Sequence, residues 1–264
     1  MSQFSYKVNI NNIINKQIRE KTMKKFITAA VILVFSTFSA NALDLSFLSL
    51  TGGIASNNSV FAASGKAEKQ NEQVYTTGAE DTGLDSTSKK SGIFQDGFGS
   101  QFVELGLGKY VSVGFDHASE SMVTPENVTN EGESNQATVS ASFNNLDTTY
   151  VKLNLPKGIY LTYGNVDVDV DVRETVGSGN TYADVSLSGT TSGIGWQTLL
   201  GDTGFGFRFQ GNYVDLGSAV TTNGVTHATQ TTTTGGKQTV TISNIEGATA
   251  KIALTYTFGR EGNY

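Results

Sequence analysis

The sequence of 264 residues has no cysteine and only two prolines. Without cysteine there is no disulfide framework and no thiolate metal site. The scarcity of proline permits long uninterrupted strands, because proline lacks the N–H group that a β-ladder needs. No window after residue 42 approaches 18 apolar residues, which argues against a transmembrane helix there. The chain is rich instead in glycine (30 residues), phenylalanine (15) and tyrosine (10), a composition that favours turns, strands and a large apolar area.

The N-terminal region has the residue order of a secretory signal peptide. Lys24 and Lys25 precede the apolar run Phe26–Phe38, and Ala40 and Ala42 follow in a small-x-small cleavage pattern. A bilayer-spanning helix needs about 20 residues, so this run is too short to be one; the alternative is a buried core helix. Because Met23 directly precedes the lysines, we expect residues 23–42 to be the signal peptide and residues 1–22 to be a doubtful N-terminal extension.

The remaining chain is strongly acidic. Residues 1–42 contain six of the 18 basic residues and one of the 24 acidic residues, which leaves a net charge of −11 on residues 43–264. Such a chain repels nucleic-acid phosphates, so nucleic-acid binding is not expected. An exported chain without a transmembrane helix can enter a membrane only as a closed β-barrel.

The stretch Gly204–Tyr213 shows which face of a strand is apolar. Phe205, Phe207 and Phe209 alternate with polar Arg208 and its neighbours Gln210 and Asn212, and successive strand residues point to opposite faces. A soluble sheet would bury the phenylalanines, whereas a membrane barrel would expose them to lipid and enclose Arg208.

The spacing of the turns favours the barrel. Three short Gly- or Pro-containing turns lie at residues 106–110, 155–159 and 199–205, and each is flanked by alternating sequence. Long polar segments separate these hairpins, at residues 66–91, 122–136, 174–181 and 221–236. Transmembrane barrels alternate short periplasmic turns with long extracellular loops in this way. The sequence therefore predicts an all-β fold, an eight-stranded antiparallel up-and-down transmembrane barrel over residues 43–264, with strands at 44–64, 93–107, 109–121, 137–155, 158–173, 182–200, 203–218 and 240–258.

Two features of the predicted strands stay open. Gly52 and Gly53 are expected to let the first strand fray or bulge. In the fifth strand, Tyr163 and Asp167 share a face, so either the membrane ends near Gly164 or a bulge there exchanges the faces.

On this register the barrel interior collects two acids and three bases. An unpaired charge in such an interior would be very costly, so we expect mutual neutralisation within a lumen charge network of Glu104, Asp116, Lys152, Arg208 and Lys251. A soluble sandwich would instead place these charges on its wet face. Candidates for aromatic girdles at the membrane interfaces are Tyr163, Trp196, Tyr213, Tyr256 and Phe258.

The last strand resembles the terminal signal of bacterial outer-membrane barrels, which has a polar residue, a small residue and two aromatic residues at fixed places. Lys251, Ala253, Tyr256 and Phe258 occupy those places, although Ala253 stands where glycine is usual and six residues follow Phe258. Together with the signal peptide and the loop alternation, the chain resembles the small eight-stranded OmpA-type, OmpX-type and opacity-protein barrels over residues 43–258. The resemblance implies export to the outer membrane, contact with its lipid and lipopolysaccharide, and recognition by the barrel-assembly machinery.

Two clusters of side chains suggest further chemical hypotheses. Asp167, Asp169 and Asp171 share one face of a strand and offer a possible Ca²⁺ site, although a polar strand extension explains them better. His117 and Ser119 share the outward face of the third strand and resemble the His-x-Ser pair of outer-membrane lipid A deacylases, with Glu120 or Glu126 as the acid. The alternative is that His117 and Ser119 are a polar pair at the membrane rim without a catalytic role.

The sequence thus favours a non-enzymatic outer-membrane protein that supports the envelope or presents its loops to an unknown ligand, without a cofactor. The alternatives are a narrow ion-conducting pore with a charged plug and a lipid hydrolase that uses His117 and Ser119.

Overall fold

The computed structural model describes residues 47–70, 84–119, 122–124, 127–129, 137–175, 182–224 and 238–259. Almost all of them are strand. The strands are β1 (Leu48–Gln70), β2 (Leu84–Leu107), β3 (Val111–Ala118), β4 (Met122–Val123), β5 (Asn127–Thr129), β6 (Ala137–Asn154), β7 (Ile159–Thr175), β8 (Val185–Leu199), β9 (Phe205–Asp215), β10 (Ala219–Thr222) and β11 (Gln238–Phe258). One 3₁₀ turn, Pro156–Gly158, joins β6 to β7. In these ranges no helix has the length and apolarity to span a membrane.

The strands form one closed antiparallel ring. Its order is β1, β2, β3, β6, β7, β8, β9 and β11, and the pairing of β11 with β1 closes it. β4 and β5 continue the line of β3 along β6, and β10 continues β9 along β11. The predicted eight-stranded up-and-down barrel is confirmed, and every predicted strand overlaps a wall strand.

The first hairpin differs from its prediction. Residues 66–70 and 84–91, predicted as loop, are strand, because β1 and β2 pair with each other as far as Gln70 and Leu84. Gly52 and Gly53 do not bulge, since both keep their partners in β2 and β11. Gly53 is needed for another reason: a Cβ there would lie 2.4 Å from Cζ of Phe102, whose ring occupies the space inside the wall.

The stagger of the ladder determines the tilt of the strands. The line of paired residues that leaves β8 at Leu199 runs through Gly206, Thr255, Gly53, Phe102, Asp116, Thr148 and Val166 and returns to β8 at Gly189, ten residues away. With a rise of about 3.3 Å per residue and strands about 4.8 Å apart, this offset tilts the strands by about 40° from the barrel axis.

The three short turns lie at one end of the barrel, as predicted. Their tight geometry requires left-handed backbone conformations, with φ of 67° at Gly108, 78° at Gly158 and 79° at Gly204. Lys157 also adopts this conformation, with φ of 66°. The strand ends that the long connections join lie at the opposite end, called here the loop end.

An apolar belt surrounds the half of the barrel next to the short turns. It consists of large outward-facing residues that are exposed or partly exposed, two to four from each wall strand, for example Ile54, Val113, Leu161, Phe207 and Leu254. With each tilted residue advancing about 2.5 Å along the axis, the belt is roughly 17 Å thick. Inward-facing residues at the same level are mostly polar or aromatic, and the polar ones include Glu104, Lys152, Arg208 and Gln197. Apolar outside and polar inside is the arrangement of a barrel in lipid.

The half towards the loop end, called here the upper barrel, has the opposite arrangement. Its interior is a packed apolar core formed by Phe61, Phe94, Phe98, Ala118, Met122, Phe143, Val166, Val168, Val170, Leu187, Val214, Leu216 and Ile245. Outward-facing residues at that level are mostly polar, as Asp167, Asp169, Ser186 and Ser188 show, although Ile93 and Val220 are also exposed there. A sheet that is apolar inside and polar outside is suited to water.

The faces of β7 do not exchange between these halves. Pairing of β7 with β8 is continuous from Ile159 to Val170, without a register shift. Of the two alternatives for this strand, the bulge is therefore wrong, and the apolar belt ends between Tyr163 and Asn165. Register shifts occur elsewhere, in β6 between Asn144 and Asp147 and in β11 between Ser243 and Glu246, opposite Ala62 and Ser64 of β1.

Candidate functional site in the barrel lumen

Glu104 on β2 is the centre of the lumen at the level of the belt. Its Oε1 accepts hydrogen bonds from Tyr150 Oη at 2.7 Å and Arg208 Nη1 at 2.7 Å. Its Oε2 accepts from Lys152 Nζ at 2.5 Å and Arg208 Nη2 at 2.8 Å. The side chains of Glu104, Lys152 and Arg208 are only 2–3% exposed, so these bonds replace most of the hydration that the charges lose.

One carboxylate here neutralises only one of two cations, and aromatic rings surround the excess positive charge. The Arg208 guanidinium carbon lies 4.7 Å from the ring centre of Phe102 and 5.2 Å from that of Tyr160. Lys152 Nζ lies 5.5 Å from the Tyr160 ring centre. Ring faces carry partial negative charge and attract such cations. The Nε of Arg208 has no hydrogen-bond partner, which is consistent with its position between two rings.

A second ion pair lies nearer the upper barrel. Lys251 Nζ on β11 donates to Asp116 Oδ2 on β3. Asp116 is 6% exposed, and its other oxygen, Oδ1, has no hydrogen-bond partner. The structure therefore divides the five predicted lumen charges into a group of three and a pair.

Three glycines make room for the lumen rings. An added Cβ would lie 2.4 Å from Tyr150 Cζ at Gly114, 2.2 Å from Tyr160 Cζ at Gly195 and 2.4 Å from Phe102 Cζ at Gly53. Each glycine faces the interior on a strand beside the ring. The rings of Phe102, Tyr150 and Tyr160 therefore fit inside the barrel only because the neighbouring wall positions are glycines.

Neutral polar side chains complete the lumen, and sequence reasoning missed them. Gln197 Oε1 accepts from Lys152 Nζ and Arg208 Nη2, both at 3.2 Å, and its Nε2 donates to Asn154 Oδ1 at 3.0 Å. Tyr160 Oη donates to Gln210 Oε1 at 2.9 Å. Their inward parity was visible in the sequence, but a polar residue of that parity also fits the wet face of a soluble sheet.

The five girdle candidates lie at two levels. Tyr163 lies at the upper border of the belt and Tyr213 just above it, on the two strands that flank Ser192, and both are exposed. Trp196 lies near the short turns, where its Nε1 donates to Lys157 O at 3.2 Å. Tyr256 packs edge-on against Phe205 and Phe258 at that end, with ring centres 4.8 and 4.5 Å apart. Of the assembly-signal residues, Tyr256 and Phe258 share the outward parity of Leu254, while Lys251 and Ala253 face the lumen.

The outer face of the upper barrel carries Asp167, Asp169 and Asp171, which accept hydrogen bonds from side chains on both neighbouring strands. Asp167 accepts from Ser188 at 2.5 Å, Asp169 from Ser186 at 2.9 Å and Asp171 from Asn144 at 2.8 Å. Within the described ranges, no group of three or more Asp, Glu or His side chains is arranged to hold a metal ion. These contacts are those of a polar strand extension, and the Ca²⁺ site stays a prediction.

His117 has a partner that the sequence did not indicate. Its Nδ1 lies 2.6 Å from Oδ1 of Asp147, its cross-strand neighbour on β6, and both side chains are about one-fifth exposed. Ser119 follows the end of β3 and is exposed; no hydrogen bond to His117 is present in the part of the chain that is described. Glu120 and Glu126, the predicted acids, lie outside the described residues, as do residues 1–42.

Comparison with known proteins finds no matching family model and no matching curated sequence. Solved structures do resemble the fold. OprG, an outer membrane protein of Pseudomonas aeruginosa, has a TM-score of 0.44 at 12% identity over 78% of this chain and 96% of its own. The outer membrane protease OmpT of Escherichia coli has a TM-score of 0.38 at 9% identity over 78% and 97%. Ail, the attachment invasion locus protein of Yersinia pestis, has a TM-score of 0.36 at 11% identity over 77% and 98%.

Proposed function

We propose that this protein is a non-enzymatic barrel of the bacterial outer membrane with a structural or surface-interaction role. Its partners are outer-membrane lipid and lipopolysaccharide, the barrel-assembly machinery during insertion, and a surface ligand that is unknown. The observation that supports this proposal best is the change of arrangement halfway along the wall. The apolar outer face of the belt is suited to contact with lipid, whereas the outer face of the upper barrel is mostly polar and suited to water.

The filled lumen argues against the narrow pore. At the level of the belt, Glu104, Arg208, Lys152 and two tyrosines occupy the interior, and the upper barrel adds an apolar core. Eight-stranded barrels have an interior that side chains just fill. An ion would have to cross both layers, and in the upper one it would meet the apolar side chains of Phe94, Val168 and Leu187.

Planar-bilayer recording tests this proposal against the pore. We expect no unitary conductance from protein whose folding has been verified by heat-modifiable migration on a denaturing gel. A general porin in the same lipid is the positive control for insertion. Steady unitary steps from the folded protein would contradict the closed scaffold and favour the pore.

A second experiment separates envelope support from loop-mediated binding. A strain that lacks the protein is complemented with the full chain or with a variant in which residues 225–237 are replaced by a short Gly-Ser linker. If the role is support by the barrel wall, both restore resistance to detergent. If only the full chain restores the phenotype, the loop end carries the role, and if neither does, the structural role is wrong.

One contact favours a second candidate, the lipid hydrolase. In a hydrolytic triad an acid orients the histidine that activates the nucleophile, and Asp147 is placed to orient His117 at the upper border of the belt. Loss of an acyl chain from lipid A in membranes that contain the protein, abolished by Ser119→Ala and retained in the exposed control Ser192→Ala, would support hydrolysis. An unchanged lipid A profile in the presence of the wild-type protein would reject it.

A further inference from the structure

A chamber lies inside the barrel between the charged layer and the apolar core of the upper barrel. Asp116, Lys251 and Tyr150 line its lower part, and Phe61 and Phe98 line its upper part. Its walls carry hydroxyl and amide groups, such as those of Thr249 and Asn212. The chamber is therefore polar below and at its sides and apolar above.

The chamber contains a strong acceptor without a partner. Oδ1 of Asp116 makes no hydrogen bond with the protein, although the residue is only 6% exposed. A buried carboxylate oxygen left without a donor costs free energy comparable to a lost charged hydrogen bond, and buried polar atoms in folded proteins almost always have a partner. The occupant of the chamber must therefore supply at least one hydrogen-bond donor.

The charge of the wall and the volume of the chamber limit which molecules can occupy it. Lys251 already balances the charge of Asp116, so this pair does not require a charged occupant. The chamber gives about 50 Å³ of room to the centres of water molecules, and one water needs roughly 10–15 Å³ of such space. About four waters fit, and the hydroxyl and amide groups of the wall offer them the two to four polar partners that a buried water needs.

We infer that the chamber is a binding site for a cluster of ordered waters, at least one of which donates a hydrogen bond to Asp116 Oδ1. The pair Asp116–Lys251 is then hydrated, whereas Glu104, saturated by Tyr150, Lys152 and Arg208, is dry. This inference does not depend on the proposed function, because a surface scaffold, a pore or a hydrolase could each contain such waters.

Two phenylalanines provide a matched test. Phe61 and Phe143 are both 2% exposed and belong to the same stack through Phe94, with ring centres 5.6 and 5.5 Å apart. Phe61 lines the chamber and Phe143 does not. X-ray-generated hydroxyl radicals form where water is, so side-chain oxidation measured by mass spectrometry reports water beside each ring.

We expect Phe61 to be oxidised at least several-fold faster than Phe143 in the folded, detergent-solubilised protein. Transfer into H₂¹⁸O shortly before the pulse distinguishes bound from bulk water, because bound waters exchange slowly and leave ¹⁶O in the product. Equal rates for the two rings would show a dry chamber and overturn the inference. Product with the bulk proportion of ¹⁸O would show freely exchanging solvent and overturn it as well.

A filling variant provides an independent check. Val214 lines the chamber, and Val214→Met adds a flexible side chain that occupies part of the space. We expect oxidation of Phe61 to fall towards the rate of Phe143, whose own rate stays unchanged. If the variant folds, as judged by heat-modifiable migration, and Phe61 is still oxidised at the wild-type rate, the inference is wrong; if it does not fold, the wild-type comparison decides alone.

Discussion

Glu104 makes four hydrogen bonds to three side chains that begin on two other strands, so its removal affects more than one contact. In Glu104→Ala, Arg208 and Lys152 remain buried without a counter-charge. Removing one partner of a buried ion pair typically costs about 3–5 kcal/mol, and we expect a loss of that size in the free energy of unfolding. Urea titration of the protein in detergent, followed by the fluorescence of Trp196, measures it.

Gln101 is the matched control, because it lies on the same strand but is exposed on the outside. Gln101→Ala is expected to change the free energy of unfolding by no more than about 0.5 kcal/mol, as for other surface positions. Equal losses in the two variants would mean that the lumen bonds contribute little.

The glycines beside the lumen rings allow a second prediction. In Gly195→Ala the new methyl group would overlap the Tyr160 ring, so we expect a destabilisation of about 1–3 kcal/mol, as for other overpacked sites. In Gly211→Ala, on the outer face of β9, nothing lies within 4 Å of the new Cβ, and stability should hardly change. The same urea titration compares them, and a harmless Gly195→Ala would contradict the proposed packing role.

Tyr213 gives a pH-dependent prediction outside the belt. The hydrogen bond from its phenol to Glu246, at 2.7 Å, raises the pKa of Tyr213 above its ordinary value. Because the folded pKa is the higher one, this contact stabilises the fold below the ordinary tyrosine pKa, and the contribution is lost as the pH rises through the raised value. Absorbance titration of wild type minus Tyr213→Phe isolates this phenol, and Glu246→Gln is expected to lower its pKa; an unchanged titration would exclude the contact.

At the scale of the strand, the outward face of one strand needs apolar side chains in the belt and tolerates polar side chains in the upper barrel. Leu254 and Ala248 share the outer face of β11, but Leu254 lies in the belt and Ala248 lies above it. Arginine on the lipid face near the bilayer centre costs about 2–4 kcal/mol, and the cost falls to about 0–1 kcal/mol near the interface. We therefore expect Leu254→Arg to impair folding into vesicles and Ala248→Arg to be tolerated, with the heat-modifiable fraction on a gel as the measurement. If both were tolerated equally, the belt would not face lipid.

The alternation along each strand was enough to predict the strands and the inward parity of Glu104 and Arg208. It was not enough to predict that these two residues meet, because they are 104 positions apart and their contact depends on the ten-residue stagger of the ring. The break between β3 and β4 and the length of the first hairpin were also missed. Both depend on which neighbour supplies hydrogen bonds, which polar sequences such as residues 84–91 do not reveal.

For the whole molecule, the structure makes the upper barrel a stable unit and not a set of loops. Amide hydrogen exchange in detergent tests this directly. Val166, Val168 and Val170 lie outside the belt but are fully buried, so we expect the amides of residues 166–170 to be as protected as those of residues 159–163, which lie in the belt. Exchange of residues 166–170 at the rate of an unstructured peptide would show that the apolar core does not hold the strands together in water.

The unbroken register of β7 across the border of the belt has a consequence for how this sequence can change over time. From Ile159 to Tyr163, odd-numbered positions face lipid and should accept only apolar replacements, while even-numbered positions should accept polar ones. From Asn165 onward this preference is reversed, although the alternation of the backbone continues without a register shift. A substitution scan of this one strand would therefore show a pattern of tolerance that shifts by half a period near its middle. The position of that shift would mark the water boundary without any lipid being seen.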